Sequence, residues 1–137
     1  MQTTTIMNET KLQKTGKGYS VATVGNINDF EGKAFVKDVL GLTSMEVSFG
    51  TLPVGAAVPF FHKHKQNEEV YIVLSGKGVF TLDGEDIEVE TGSVVRVAPE
   101  VSRCNKNTGK EPFTYICIQA KDQSLEQAVA DDAIIEQ

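Results

Sequence analysis

Between Met45 and Ala120 the chain reads as seven or eight short β-prone runs, each punctuated by Gly, Asn, Asp or Pro. No helical period runs through this stretch, and that pattern admits a sandwich or a barrel and little else. The runs differ in how much they disclose. "MEVSFGTL" alternates in part and is rich in β-formers, and "PVGAAVP" after it reads as a turn and connector. "EVYIVLSGKG" is a strand closed by a Gly-rich turn. "VFTLDGEDIEV" is the clearest hairpin, because Asp83-Gly84 suits the left-handed dihedrals of a type I′ turn. "TGSVVRVAP" gives turn, strand and Pro stop, and "VSRCNKNTGKEPFTYICIQA" reads as a second hairpin with a long polar loop around residues 107–110.

The flanks have a different texture. Residues 1–20 are polar and read as an N-terminal arm or edge strand, residues 21–120 as the barrel, and residues 121–137 as an acidic C-terminal helix or tail. Ser124 followed by Gln127 matches a capping box, so "SLEQAVADDAII" is expected to offer a short helix. The 137 residues suit one domain with one core.

Charge and composition narrow the function classes. The net charge of −6 argues against nucleic acid or an anionic membrane surface as partner. Residues 122–137 hold five acids and no base, so most of the acidity belongs to the tail. No run of eighteen apolar residues exists and the first residues lack a signal-peptide core, which makes a cytoplasmic protein the expectation. Cys104 and Cys117 are too few for a disulfide framework and are expected to behave as small apolar residues.

The chain has two histidines, His62 and His64, one residue apart, with Glu68 and Glu69 close behind. On a strand, residues i and i+2 share a face, which sets the histidines ~6.5–7 Å apart at Cα. Imidazoles so placed can converge on one cation at ~2.0–2.1 Å each. A carboxylate from the adjacent strand would complete a two-histidine, one-carboxylate face with open positions for substrate or oxygen. Parity selects the acid. Glu69, Tyr71 and Val73 share one face of "EVYIV", and Val70, Ile72 and Leu74 lie on the other as an apolar row that needs a cover. Glu69 is therefore the expected third ligand, with Phe60, Tyr71 and Val73 lining the same cavity. The alternative is an exposed polar face, since Lys63 and Lys65 interleave the histidines.

These residues resemble the cupin family. Its first motif is matched by Gly55, six residues, His62-Lys63-His64, four residues, Glu69, six residues and Gly76. The spacer after Gly55 is one residue longer than usual. The resemblance covers about residues 40–120 and implies an all-β jelly-roll barrel of two antiparallel sheets. It also implies a divalent metal (Fe, Mn, Ni or Zn) on His62, His64 and Glu69. The second motif departs from the family. Aligned on Gly92, Ala98 stands for its proline, Glu100 for its glycine and Arg103 for its histidine, with Asn107 retained.

Arginine stays protonated and cannot ligate a metal. Arg103 either pairs with Glu69 in place of the metal, or binds an anionic substrate as part of the ligand pocket, or points away. Two functions follow. One is metal-dependent binding of a small, anionic ligand, with isomerisation, decarboxylation or dioxygenation as its chemistry. The other is a non-catalytic, metal-free small-molecule binding or sensing module. Small cupins resemble one another in pairing, which implies a homodimer. Cys104 is out of phase with Arg103 and is expected to point away from the cavity.

Overall fold

The computed structural model describes residues 10–29 and 32–136. Ten strands dominate: β1 (Lys11–Gly16), β2 (Tyr19–Thr23), β3 (Gly32–Phe35), β4 (Glu46–Leu52), β5 (Asn67–Ser75), β6 (Lys77–Leu82), β7 (Glu85–Glu90), β8 (Val94–Val97), β9 (Arg103–Asn107) and β10 (Phe113–Lys121). One helical turn, α1 (Lys37–Leu40), precedes β4 and ends on Gly41 in the left-handed region. No helix among the described residues is long and apolar enough to cross a membrane.

The strands form a five-stranded sheet in the order β3-β4-β10-β5-β8, a three-stranded sheet in the order β7-β6-β9, and a separate β1-β2 hairpin. Every pairing is antiparallel. The two larger sheets face each other as a jelly-roll barrel. Tyr71, Val73, Val97, Phe113, Tyr115 and Cys117 from one sheet pack against Phe80 and Val89 from the other. Phe80 and Phe113 have no exposed surface, and each contributes about 1.5–3 kcal/mol by burial.

Two turns carry conformational demands that the sequence announces. Asp83 and Gly84 both have positive φ, 49° and 85°, as a type I′ hairpin requires, and β6 pairs with β7 across them. At Gly76, φ is +90°, and a Cβ there would sit 2.5 Å from the Pro112 carbonyl oxygen. The chain crosses from the larger sheet to the smaller at this point, so the turn after "EVYIVLS" is a corner between sheets.

Two expectations are corrected. The second hairpin does not form: β9 pairs with β6, whereas β10 pairs with β4 and β5. Residues 108–112 carry the chain between sheets, and Asn107 organises that crossing. Its Nδ2 donates to the Glu111 and Leu52 carbonyls at 2.8 and 3.0 Å, and its Oδ1 accepts from Gly109 N at 2.8 Å. The segment after Ser124 carries only a 3₁₀ turn at Ala130–Asp132, so the expected helix is replaced by tail. Its apolar side chains, Leu125, Val129, Ile134 and Ile135, are 63–87% exposed, and a helix this short is marginal without a packed face. In the region read as an arm or edge strand, β1 and β2 pair as a hairpin across residues 11–23, and residues 1–9 lie outside the described residues.

A second, smaller core lies on the outer side of β3 and β4. Val24, Ala34 and Val36 pack there with Leu40, Val47 and Phe49, so α1 and the end of β2 cover this face. The row Val70, Ile72 and Leu74 is half-buried on the outside of β5. Beside it Arg96 holds Glu68 at 2.5 Å and lies 3.8 Å from Asp122.

Candidate metal centre and cavity

Strand β5 presents Glu69, Tyr71 and Val73 inward, as the pleat dictates. Glu69 is the hub. Its Oε1 accepts hydrogen bonds from the Tyr71 hydroxyl and from Arg103 Nη1, both at 2.6 Å. Its Oε2 lies 3.0 Å from His64 Nε2. Burial alone would push the Glu69 carboxyl up, but the Tyr71 hydrogen bond and the neighbouring Arg103 and His64 outweigh it. They hold its pKa below the usual carboxylate range, so Glu69 is an anion at neutral pH.

Arg103, the first residue of β9, is as constrained as a side chain can be. It is 1% exposed. Nη2 donates to the Ala98, Val101 and Pro99 carbonyls at 2.9, 2.9 and 3.3 Å, and Nε donates to Val101 O at 3.1 Å. Of the three arrangements open to it from the sequence, the structure takes the pairing with Glu69.

His62 and His64 lie outside regular strand, and backbone pairing fixes them nonetheless. His62 exchanges two peptide hydrogen bonds with Arg103, at 3.1 and 3.0 Å, and His64 N donates to Pro99 O at 2.9 Å. Their rings meet edge-on with centroids 5.2 Å apart. Burial and the positive charges of Arg103 and Lys33 lower the His62 pKa against the opposing pull of Glu69, so its ring is neutral at pH 7.

A ligand atom from each of His62, His64 and Glu69 lies within 4.8 Å of the other two, and among the described residues no other such cluster occurs. The fit to a divalent cation is physical. The set is two imidazoles and an ionised carboxylate, and the 3.0 Å edge between His64 Nε2 and Glu69 Oε2 is about what adjacent ligands at ~2.1 Å require. His62 Nδ1 is buried without a hydrogen-bond partner, an unmet need in the same cluster. The histidine corner of the family motif is closed by Arg103, so three protein ligands are the most this site offers.

A cavity of about 210 Å³ opens beside the triad, bordered among others by Lys33, Phe60, His62, Tyr71, Asn105 and Tyr115. Phe60 stands at the rim, 58% exposed, with its ring 6.0 Å from that of His62. Of the expected lining residues, Phe60 and Tyr71 border this space. Val73 is packed in the core behind it, and Arg103 sits beneath Glu69 without reaching the cavity wall. Cys104 alternates with the buried Arg103 and Asn105 on β9; it borders the cavity, and its thiol donates to Val58 O at 3.1 Å. Larger open grooves, about 560 Å³ beside Lys77 and about 620 Å³ beside Tyr19, hold no ligating cluster.

Lys33, Asn105 and Tyr115 escaped the sequence reading. Their signal is register: Lys33 and Tyr115 both stand opposite Gly50 on β4, and Asn105 stands opposite the buried Phe80 on β6, so all three face inward. Gly50 leaves room for the Tyr115 ring, which a Cβ there would meet at 3.0 Å.

Known proteins agree with this geometry. A model of the cupin domain matches residues 48–119, more than half of the chain. A crystal structure of a cupin protein from Bacteroides fragilis is 41% identical, with a TM-score of 0.82 over 89% of this chain and 100% of that one. A glucose-6-phosphate isomerase of Pyrococcus horikoshii is 42% identical over 67 residues, 45% of this chain and 35% of that one. An oxalate-binding protein of Thermotoga maritima is 33% identical over 67 residues, 49% of this chain and 54% of that one. The chain thus spans between about a third and a half of the length of these curated relatives. Motif, barrel and likeness converge, and the chain belongs to the cupin domain family.

Proposed function

We propose that this cupin binds a divalent cation through His62, His64 and Glu69 and a small, oxygen-rich anionic ligand in the adjoining cavity. The observation that carries the reading is the convergence of two imidazoles and an ionised carboxylate within 4.8 Å, beside a cavity of about 210 Å³. A cation held there supplies Lewis acidity toward a bound oxygen, which suits isomerisation, decarboxylation or dioxygenation. The chain's own groups do the positioning. Tyr71 and Arg103 both fix Oε1, which leaves Oε2 as the free edge of the carboxylate beside His64. Phe60, Tyr71 and Tyr115 wall the cavity and limit its water. Two relatives are named for small oxygen-rich anions, glucose 6-phosphate and oxalate, which supports this ligand class.

A second reading has its own observation. Arg103 already neutralises Glu69 at 2.6 Å, so the cavity can serve as a metal-free small-molecule binding module. Elemental mass spectrometry on tag-free protein separates the two. Near-stoichiometric metal in the wild type, lost in His64→Ala, is expected. A wild type still empty after incubation with Fe, Mn, Ni and Zn would leave the metal-free module.

A homodimer is proposed as well. Leu12, Tyr19 and Val21 on the β1-β2 hairpin are 45–57% exposed, and a second copy would cover them. Sedimentation velocity of the full chain gives the mass of two chains if this holds and of one chain if it does not.

A further inference from the structure

Arg103 changes the charge of the site as well as its ligand count. A carboxylate among neutral imidazoles offers a cation one negative charge. Here that charge is cancelled by a buried guanidinium at 2.6 Å. The guanidinium cannot move aside when a cation arrives, because four of its contacts go to the carbonyls of Ala98, Pro99 and Val101, and its backbone is paired with His62. Both imidazoles contribute donor atoms and no negative charge. Lys33 adds another positive charge at the cavity wall. A divalent cation at this triad would stand with both its charges uncompensated by the protein, in a partly desolvated place where such an excess is costly.

The cavity beside the triad is where compensation can come from. Its volume of about 210 Å³ equals that of about seven water molecules, enough for an oxyanion with a short apolar body. Its walls are mixed in the way such a ligand needs. Lys33 is cationic, Asn105 carries an amide Nδ2 that lacks a hydrogen-bond partner, and Phe60, Tyr71 and Tyr115 are aromatic.

Building on the cation site proposed above, we infer that Arg103 makes this a linked site: the divalent cation and a small oxyanion bind together, and each binds weakly alone. Linkage is reciprocal, so the anion raises cation affinity by the same factor as the cation raises anion affinity. The factor is expected to be at least about tenfold, within the usual range for coupled sites. The anion that answers this charge count is an oxyanion with a compact body, which places its negative charge by the cation and Lys33 and its apolar part against the aromatic wall.

The test is calorimetric titration of the full-length protein with Mn²⁺, alone and in the presence of acetate, benzoate or inorganic phosphate. A rise in Mn²⁺ affinity of about tenfold or more with at least one anion, matched by an equal rise in that anion's affinity with Mn²⁺, supports the proposal. Mn²⁺ affinity that is the same with and without all three anions overturns it and leaves the cation site standing. An anion bound equally well without Mn²⁺ also overturns it. No Mn²⁺ binding under any condition removes the cation site itself, and the linkage with it. Arg103→Met is the second arm. It is expected to bind Mn²⁺ at least about tenfold more tightly than wild type without any anion, and to lose most of the coupling. Circular dichroism with and without Mn²⁺ checks its fold, and the wild-type titrations decide the question if the variant does not fold.

Discussion

Arg103 Nη1 donates to Glu69 Oε1 at 2.6 Å inside the barrel, where the two residues are 1% and 3% exposed. The pair joins β9 of the smaller sheet to β5 of the larger, so one ion pair stitches the two layers and sets the charge of the site. Its loss is the most informative perturbation available.

Arg103→Met strands an ionised Glu69 in the interior. The expected loss of stability is about 3–5 kcal/mol, which corresponds to a fall in Tm on the order of 10 °C. The double variant Glu69→Gln/Arg103→Met, with no orphaned charge, is expected to recover part of it. Differential scanning calorimetry of the three proteins checks this, and an unchanged Tm in the single variant would refute it.

Tyr71→Phe removes the second donor to Oε1 while the ring still packs on Phe80, 4.8 Å away between centroids. A hydrogen bond to a buried charge is worth about 1.5–3 kcal/mol, and a loss of that size is expected in urea titration. The Glu69 pKa should also rise, because a hydroxyl that stabilises its anion is gone; a carboxyl titration unchanged by infrared difference spectroscopy would count against this.

Stability should fall as pH drops below neutral. His62 has a lowered pKa when folded, so the unfolded chain takes its proton first and stability declines as pH falls through the ordinary value of 6.5. Glu69 acts with the same sign, because its folded pKa lies below the ordinary 4.5 and its contribution is lost as pH falls past that value toward the folded one. Denaturant unfolding between pH 8 and pH 3, on wild type and Glu69→Gln, reads both steps. The lower step should vanish in the variant, and its persistence would assign it elsewhere.

Gly76→Ala tests the corner between sheets. At φ +90° an added Cβ would meet Pro112 O at 2.5 Å and Phe113 Cα at 3.0 Å, both backbone atoms that cannot yield cheaply. A loss of more than about 1 kcal/mol is expected by chemical denaturation. Gly92→Ala has the same sign of φ and open space around it, and should cost less.

The cysteines should part company under a thiol reagent. Burial, with the nearby Glu69 charge, pushes the Cys117 thiol up to about 12, and the residue is 4% exposed in the core. Cys117 is therefore expected to be labelled by N-ethylmaleimide only after unfolding, by intact mass and peptide mapping. Rapid native-state labelling of Cys117 would contradict its place in the core.

What the sequence determined by itself was local. Strand parity settled which acid points inward, because alternation along β5 is a property of the backbone, and Glu69 is buried while Glu68 faces out to Arg96. Asp83-Gly84 fixed the β6-β7 hairpin because few residues accept two positive φ angles in succession. The spacing from His62 to Gly76 carried the resemblance to the cupin family, and the barrel it implied is the fold observed. What only the tertiary structure decided was non-local. Whether β9 pairs with β10 or with β6 turns on a crossover between sheets, and no residue in the intervening loop encodes its destination. Where Arg103 points is set by three carbonyls from the turn at 98–101 and by Glu69, thirty-four positions earlier in the chain. The cavity walls Lys33 and Tyr115 come from strands that share only their register against Gly50. Local conformation is written in neighbouring residues, but the charge and shape of a site depend on which distant strands the core brings together.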